Sequence, residues 1–524
     1  MAAQHSQQNS SPDAVRIGLG PLSATDLVAV ARTGAAVELT EESMAEMART
    51  RAVVEGLAAG PVPHYGISTG FGALATTHIP AERRAQLQRS LIRSHAAGSG
   101  DTVETEVVRA LMTLRLSTLA TGRTGVRPST ATTYAALLNA RVTPVVHEYG
   151  SLGCSGDLAP LAHCALALMG EGEVFDADGV RRPASEALTA AGITPVQLAE
   201  KEGLALINGT DGMLGMLIMA LADLERLVRT ADVAAALSVE GLLGTDDVFA
   251  DDLQQLRPHP GQAASAGNLR RLLAGSPIRD SHRDPAACTR VQDAYSLRCA
   301  PQVSGAVRDT MAHARTVAER ELASAVDNPV ITPDGRVESN GNFHGAPVAY
   351  VLDFLAIAAA DLASISERRT DRFCDTSRNH GLNPFLADDP GVDSGQMIAQ
   401  YTQAAIVSEL KRLAVPASVD SIPSSAMQED HVSMGWSAAR KLRRAVDGLT
   451  RVLAIEILTA ARGVDLRRPL EPAAGTGAVI TALRAHVDGP GPDRHLSPEI
   501  ERTVALVADG SLLTAAEHAI GALD

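Results

Sequence analysis

Five stretches of this chain carry apolar residues at helical spacing over lengths near or above about 18 residues, long for a globular helix. They cover residues 211–243, 303–326, 346–369, 395–412 and 435–461. An apolar stripe of that length needs a partner face. Several of them joined by short connections give a helix bundle, up-and-down in part. Only 3% of the residues are aromatic, so the core must be built from Ala, Leu and Val. Such a composition packs helices closely and suits a β-sandwich poorly. The expected fold is mainly α: a long-helix bundle core with a smaller N-terminal domain.

Residues 14–210 are expected to form that N-terminal domain, 211–467 the central bundle, and 468–524 a C-terminal helical segment packed on it. Within the first part, 22–57 reads as helices with turns between them. Residues 81–97, 102–120, 129–138 and 159–170 read as helices, and 171–183 as a small hairpin around Asp176-Ala177-Asp178-Gly179. The first 13 residues are polar, lack the apolar region of a secretory signal, and read as a disordered tail. No uninterrupted apolar stretch approaches a membrane span. A net charge of -15 argues against a nucleic-acid partner. The five cysteines, Cys154, Cys164, Cys288, Cys299 and Cys374, follow no zinc spacing, and reduced thiols in a cytoplasm account for them. No metal motif is present.

The most specific run is Gly150-Ser151-Leu152-Gly153-Cys154-Ser155-Gly156-Asp157-Leu158-Ala159-Pro160. Gly156 has no Cβ, so the backbone can fold back sharply there. If its amide nitrogen attacks the carbonyl of Cys154, a five-membered ring closes. Loss of water from the ring and from Ser155 leaves an imidazolone with an exocyclic electrophilic methylidene. The plain alternative is a glycine-rich turn before a helix, with Ser155 or Asp157 as its N-cap. The whole run resembles the prosthetic-group loop of the histidine and aromatic amino acid ammonia-lyases, whose ring is called methylidene-imidazolone (MIO). The usual triad there is Ala-Ser-Gly. Cys154 departs from it, but only the backbone carbonyl of that residue enters the ring. The resemblance implies that the N-terminal domain carries the MIO loop and that no external cofactor is needed.

Other blocks resemble the same family in the same order, from about Val15 onward. Tyr65, in His64-Tyr65-Gly66-Ile67-Ser68-Thr69-Gly70-Phe71-Gly72, matches the catalytic tyrosine loop. Taken alone, a loop tyrosine is more often a packing residue. Asn208, in Ile207-Asn208-Gly209-Thr210, is implied to lie near the imidazolone and the substrate. In Gln292-Asp293-Ala294-Tyr295-Ser296-Leu297-Arg298, the resemblance implies that Arg298 grips the substrate carboxylate, a task its planar fork suits. Gln292 and Tyr295 are implied site residues, and Phe343, in Gly341-Asn342-Phe343-His344-Gly345, is implied to line the site. Glu409 matches the family's site glutamate, although most helical glutamates are merely solvated. The stretch 416–434, with Gln428-Glu429-Asp430-His431, also resembles the family, Met427 replacing the commoner Asn.

Specificity is expected to lie in Arg93-Ser94-His95-Ala96-Ala97-Gly98, the form that histidine-specific members show. An imidazole both donates and accepts hydrogen bonds, and His95 and Glu409 are polar partners suited to it. The implied reaction removes ammonia from L-histidine to give trans-urocanate. Tyr65 or Glu409 would take the β-proton, and Tyr295 and Asn208 would steady the developing charge. The resemblance also implies a homotetramer with shared active sites. A tyrosine ammonia-lyase, an amino-acid aminomutase and a catalytically inactive helical scaffold are the alternatives.

Overall fold

The structure is a computed structural model and describes residues 14–284, 288 and 290–524. The expected tail, 1–13, lies outside them. Every long periodic stretch is a helix: Asp211–Gly241, Ala300–Leu322, Ala346–Cys374, Met397–Leu413 and Gly435–Asp465. The fold is mainly α, as the stripes require. One expectation needs correction. Ala346–Cys374 is long and apolar enough to cross a membrane, where none was expected. Because 67% of its most apolar window is buried inside the fold, it is placed as a core helix.

The chain divides into two compact units that are not contiguous in sequence. The first holds residues up to Met219, Thr316–Tyr350 and Ala417–Arg440; the second holds Ala220–Arg315, Val351–Pro416 and Lys441–Asp524. The division falls inside four of the long helices.

At the centre of the first unit is the helix Thr105–Ala120, every residue of which from Val107 onward is buried. Pro128–Asn139 and Leu158–Leu168 pack against it. Short strands trim this helical core. Val15–Ile17 pairs in parallel with Val37–Leu39, and Ser99–Thr102 pairs antiparallel with His147–Tyr149. Glu173–Phe175 and Arg181–Pro183 form the expected hairpin, with Thr143–Pro144 added alongside. The expected helices and turns of 22–57 are corrected at Val37–Leu39, which is a strand: three-residue strands are too short to show a period.

The second unit is pinned by a buried charge. The Glu456 carboxylate, fully buried, receives the Arg369 guanidinium in a bidentate grip and the hydroxyls of Ser238 (2.7 Å) and Ser366 (2.5 Å). Every oxygen of that carboxylate is thus used, the condition under which an ion pair is tolerated in a core. Arg369 also donates to the Ser296 carbonyl at 3.2 Å, which ties the 292–298 block to the bundle.

Candidate active site

In the first unit, the loop 150–157 is clamped from two sides. On one side the amide of Asp157 donates to the Gly209 carbonyl (2.7 Å), and Gly156 forms a β-bridge with Gly209. Gly156 has φ +79°, and a Cβ there would lie 2.1 Å from the Gly209 oxygen, so only glycine fits. The buried Asp157 carboxylate accepts the amides of Gly212 and Met213, both at 2.9 Å, and the Ser151 hydroxyl at 2.8 Å. It thereby caps the Asp211–Gly241 helix. Burial raises the Asp157 pKa to about 7. On the other side, the Ser433 hydroxyl donates to the Gly153 carbonyl (2.8 Å), and the Met434 amide donates to the Leu152 carbonyl (2.9 Å).

Ser155 sits at the tip of this clamped loop. Its hydroxyl donates to Glu429 Oε1 at 3.0 Å, and its carbonyl accepts the side-chain amide of Asn208 at 3.0 Å. The other Glu429 oxygen accepts from Ser424 at 2.9 Å. Asn208 Oδ1 is buried without a partner among the described residues, an acceptor held ready beside the triad. The turn carrying Asn208 is itself fixed by Arg115. That guanidinium is fully buried, pairs with Asp211, and donates to the Ala205 (3.0 Å) and Asn208 (3.2 Å) carbonyls.

Three more groups feel the Glu429 charge. Burial pushes the Cys154 thiol up to about 12, and Glu429 adds to it. Burial raises Tyr65, opposed by the Gly72 amide and reinforced by Glu429. Burial lowers His95, against the opposing effects of the Leu91 carbonyl and Glu429. His95 Nδ1 lies 2.9 Å from the Leu91 carbonyl, which can only accept. The proton is therefore on Nδ1, and a neutral His95 keeps Nε2 as an acceptor. The Tyr65 hydroxyl accepts the Gly72 amide at 3.3 Å, and its ring meets Phe71 edge-on.

Beneath Tyr65 lies the ion pair Lys201–Asp327, 2.6 Å, with both side chains at 0% exposure. A Cβ on Gly66 would touch Leu204, Pro329 and Lys201, so the tyrosine loop rests directly on this pair. The Asp327 carbonyl also holds the segment just before Phe343, accepting the Asn340 side-chain amide at 3.0 Å. Gly345, two residues beyond Phe343, packs against Met213 and Ser433, the same residues that crowd Gly153.

The first unit thus gathers Cys154, Ser155, Gly156, Tyr65, His95 and Asn208 around Glu429, with the half-buried Phe343 on a loop braced by the same neighbours. Glu429 was not singled out from sequence. It lies 274 residues from Ser155, and no local pattern announces that pairing. The block Gln428-Glu429-Asp430-His431 was its only signal. The second unit carries Gln292, Tyr295, Arg298 and Glu409. Tyr295 is 71% exposed, and the Arg298 guanidinium stacks over its ring at 4.6 Å. Arg298 Nε is buried without a partner among the described residues. Glu409, on the Met397–Leu413 helix, is half exposed and pairs with Arg412, one turn away.

A model of the aromatic amino acid lyase family matches residues 22–485. The histidine ammonia-lyase of Streptomyces avermitilis is 68% identical over 510 residues, covering 97% of this chain and 99% of that protein. The histidine ammonia-lyase of Streptomyces coelicolor is 67% identical, with the same coverage. Among solved structures, the tyrosine aminomutase of Streptomyces globisporus superposes with a TM-score of 0.92 at 36% identity, covering 98% of this chain and all of that one. The histidine ammonia-lyase of Trypanosoma cruzi gives 0.88 at 38% identity, covering 97% and 95%.

Proposed function

Because the chain belongs to the aromatic amino acid lyase family, we propose that it eliminates ammonia from L-histidine to give trans-urocanate. The observation that carries this reading is the Ser155 environment: a hydroxyl on a carboxylate and a carbonyl on an amide, at the tip of a loop where only glycine fits position 156. These residues suit an internal MIO group. Gly156 is confined where it must approach Cys154, and Glu429 is placed to move a proton at Ser155 Oγ as water departs. Closed by loss of two waters, the triad supplies an electrophilic carbon for the substrate's amino group.

The chain's own residues do the rest. Arg298 takes the substrate carboxylate and supplies orientation. Asn208, with its free buried oxygen, and Tyr295 steady charge beside the reacting atoms. Tyr65 is the first candidate to take the β-proton, since it lies in the Ser155 cluster; Glu409 is the second. Gln292 and Phe343 complete the binding surface. His95 selects the ring: a neutral imidazole with an open Nε2 accepts an N–H that histidine has and phenylalanine lacks. High identity to histidine ammonia-lyases over nearly the whole chain supports the same substrate.

We place these sites in a homotetramer in which neighbouring chains complete one another's active sites. The exposed Tyr295 and Glu409 support this, as does an apolar stripe of Tyr350, Phe354 and Ile357, spaced at helical intervals and open to solvent in the single chain. Five free cysteines fit a reducing cytoplasm. The test is the mass of the proteolytic peptide spanning 150–157. It should be lighter than its sequence by two waters, and an unmodified Ser155 in active enzyme overturns the reading.

A further inference from the structure

In the first unit, lined by none of the residues assigned to catalysis, a cavity of about 190 Å³ opens between the end of the π-helix Ala29–Thr33 with Gly34, the start of the Thr105–Ala120 helix and the hairpin 173–183. Its wall sets three arginines, Arg32, Arg109 and Arg141, against one carboxylate, Asp176, in a chain whose net charge is -15. Arg109 is only 5% exposed, yet no carboxylate pairs with it among the described residues. Its guanidinium donates to the Val30 and Leu138 carbonyls at 2.8–3.2 Å. Beside it stands Arg141, close enough to lower the Arg109 pKa together with burial. No hydrogen bond or ion pair engages the Arg141 guanidinium among the described residues. The carboxylates nearby are engaged: Glu106 with Arg32, and Asp176 with Arg182.

The local backbone is built around Arg141. It follows the Pro128–Asn139 helix at the position where a left-handed residue ends a helix, and where glycine is usual. Arg141 occupies that conformation with φ +54°, where its Cβ is strained and glycine would not be. Opposite, Gly34 makes room for the guanidinium: a Cβ there would lie 2.9 Å from Arg141 Nε and Nη2. Two like charges side by side, one buried without a counter-ion and one held in a strained backbone, are a poor arrangement for an empty protein. They are a good one for a bound anion, since guanidinium forks match carboxylate and phosphate oxygens.

We propose that this cavity is a binding site for a small organic dianion, a phosphate monoester or dicarboxylate, held between Arg109 and Arg141. The cavity has room for a molecule of a few heavy atoms beyond the charged group, and Thr105 and Thr143 add hydroxyls to its wall.

The test is isothermal titration of the purified full-length enzyme with inorganic phosphate and, separately, with succinate, at an ionic strength fixed with chloride. Saturable binding of either probe, weakened about tenfold or more by Arg141→Gly, supports the site. The stronger probe identifies the headgroup. Arg141→Lys should retain part of the affinity. Arg141→Gly should also raise the anion-free melting temperature, since it relieves both the left-handed residue and the like-charge contact; a variant that merely failed to fold would do the reverse. No saturable binding of either probe to the wild type, or equal binding to Arg141→Gly, overturns the proposal.

Discussion

Replacing Lys201 with methionine isolates the contribution of the charge beneath the tyrosine loop. Methionine keeps most of the stem that packs under Gly66 and Leu204, so the change removes little more than the ammonium group. What remains is the Asp327 carboxylate, wholly buried, with the Asn328 amide at 2.8 Å as a donor, Arg115 as the remaining nearby positive charge, and no counter-charge at 2.6 Å. Breaking a buried pair from one side typically costs about 3–5 kcal/mol. The surviving amide donor places the expectation at about 3 kcal/mol near pH 8. Burial already raises the Asp327 pKa, and loss of Lys201, which opposes that rise, lifts it further. In the variant the folded state therefore takes up a proton that the unfolded state does not. Its deficit against wild type should be largest at alkaline pH and shrink as pH falls toward 5. The double variant Lys201→Met, Asp327→Asn removes both charges and should recover most of the loss. Urea unfolding at fixed protomer concentration measures all three proteins. A single-variant cost below about 1 kcal/mol, or a double variant no better than the single, would refute the reasoning.

Glu429→Gln should leave the fold intact but impair ring formation, read as an increased fraction of peptide 150–157 at its unmodified mass; full modification at the wild-type rate counts against a proton-moving role. Asp157 carries a pKa raised to about 7, so its share of stability is present below about pH 4 and lost as pH rises through 7. Asp157→Asn should accordingly flatten the dependence of the unfolding midpoint on pH between about 4 and 7; an unchanged slope would contradict the raised value. Inactive Tyr65→Phe chains mixed and reassembled with inactive Ser155→Ala chains should regain part of the activity if sites are shared, and no recovery would place each site within one chain. His95→Leu should raise KM for histidine more than it lowers kcat, because it deletes one ring contact worth about 1–3 kcal/mol.

The long helices were legible because their apolar stripes run for many turns. The helix expected at 346–369 is observed as Ala346–Cys374, and that at 435–461 as Gly435–Asp465. The hairpin around Asp176 was legible because its turn chemistry is local. What escaped is whatever depends on distant pairing. The parallel pair Val15–Ile17 with Val37–Leu39 leaves no trace in three-residue segments. The site divides along the same line. The Ser155 loop and Asn208 carry their own glycine signatures, and the structure joins them by a hydrogen bond. Choosing between glutamates is different in kind. Glu409 and Glu429 both sit in family-like stretches, and only the fold brings Glu429 to 3.0 Å from Ser155 while pairing Glu409 with Arg412 at the surface. In sequence Arg109 looks like an ordinary helix arginine and Arg141 like an ordinary residue just past a helix end. Their shared cavity exists only once the fold brings the end of the Ala29–Thr33 helix and Gly34 beside them.

The central claim, that this chain releases ammonia from histidine, is tested most directly by presenting L-histidine, L-tyrosine and L-phenylalanine separately to purified enzyme and following the ultraviolet absorbance of each product. The expected result is urocanate from histidine, with equimolar ammonia, at a rate far above any coumarate or cinnamate, and no product from Ser155→Ala. Faster coumarate release from tyrosine, or β-amino acids in place of free ammonia, would contradict it.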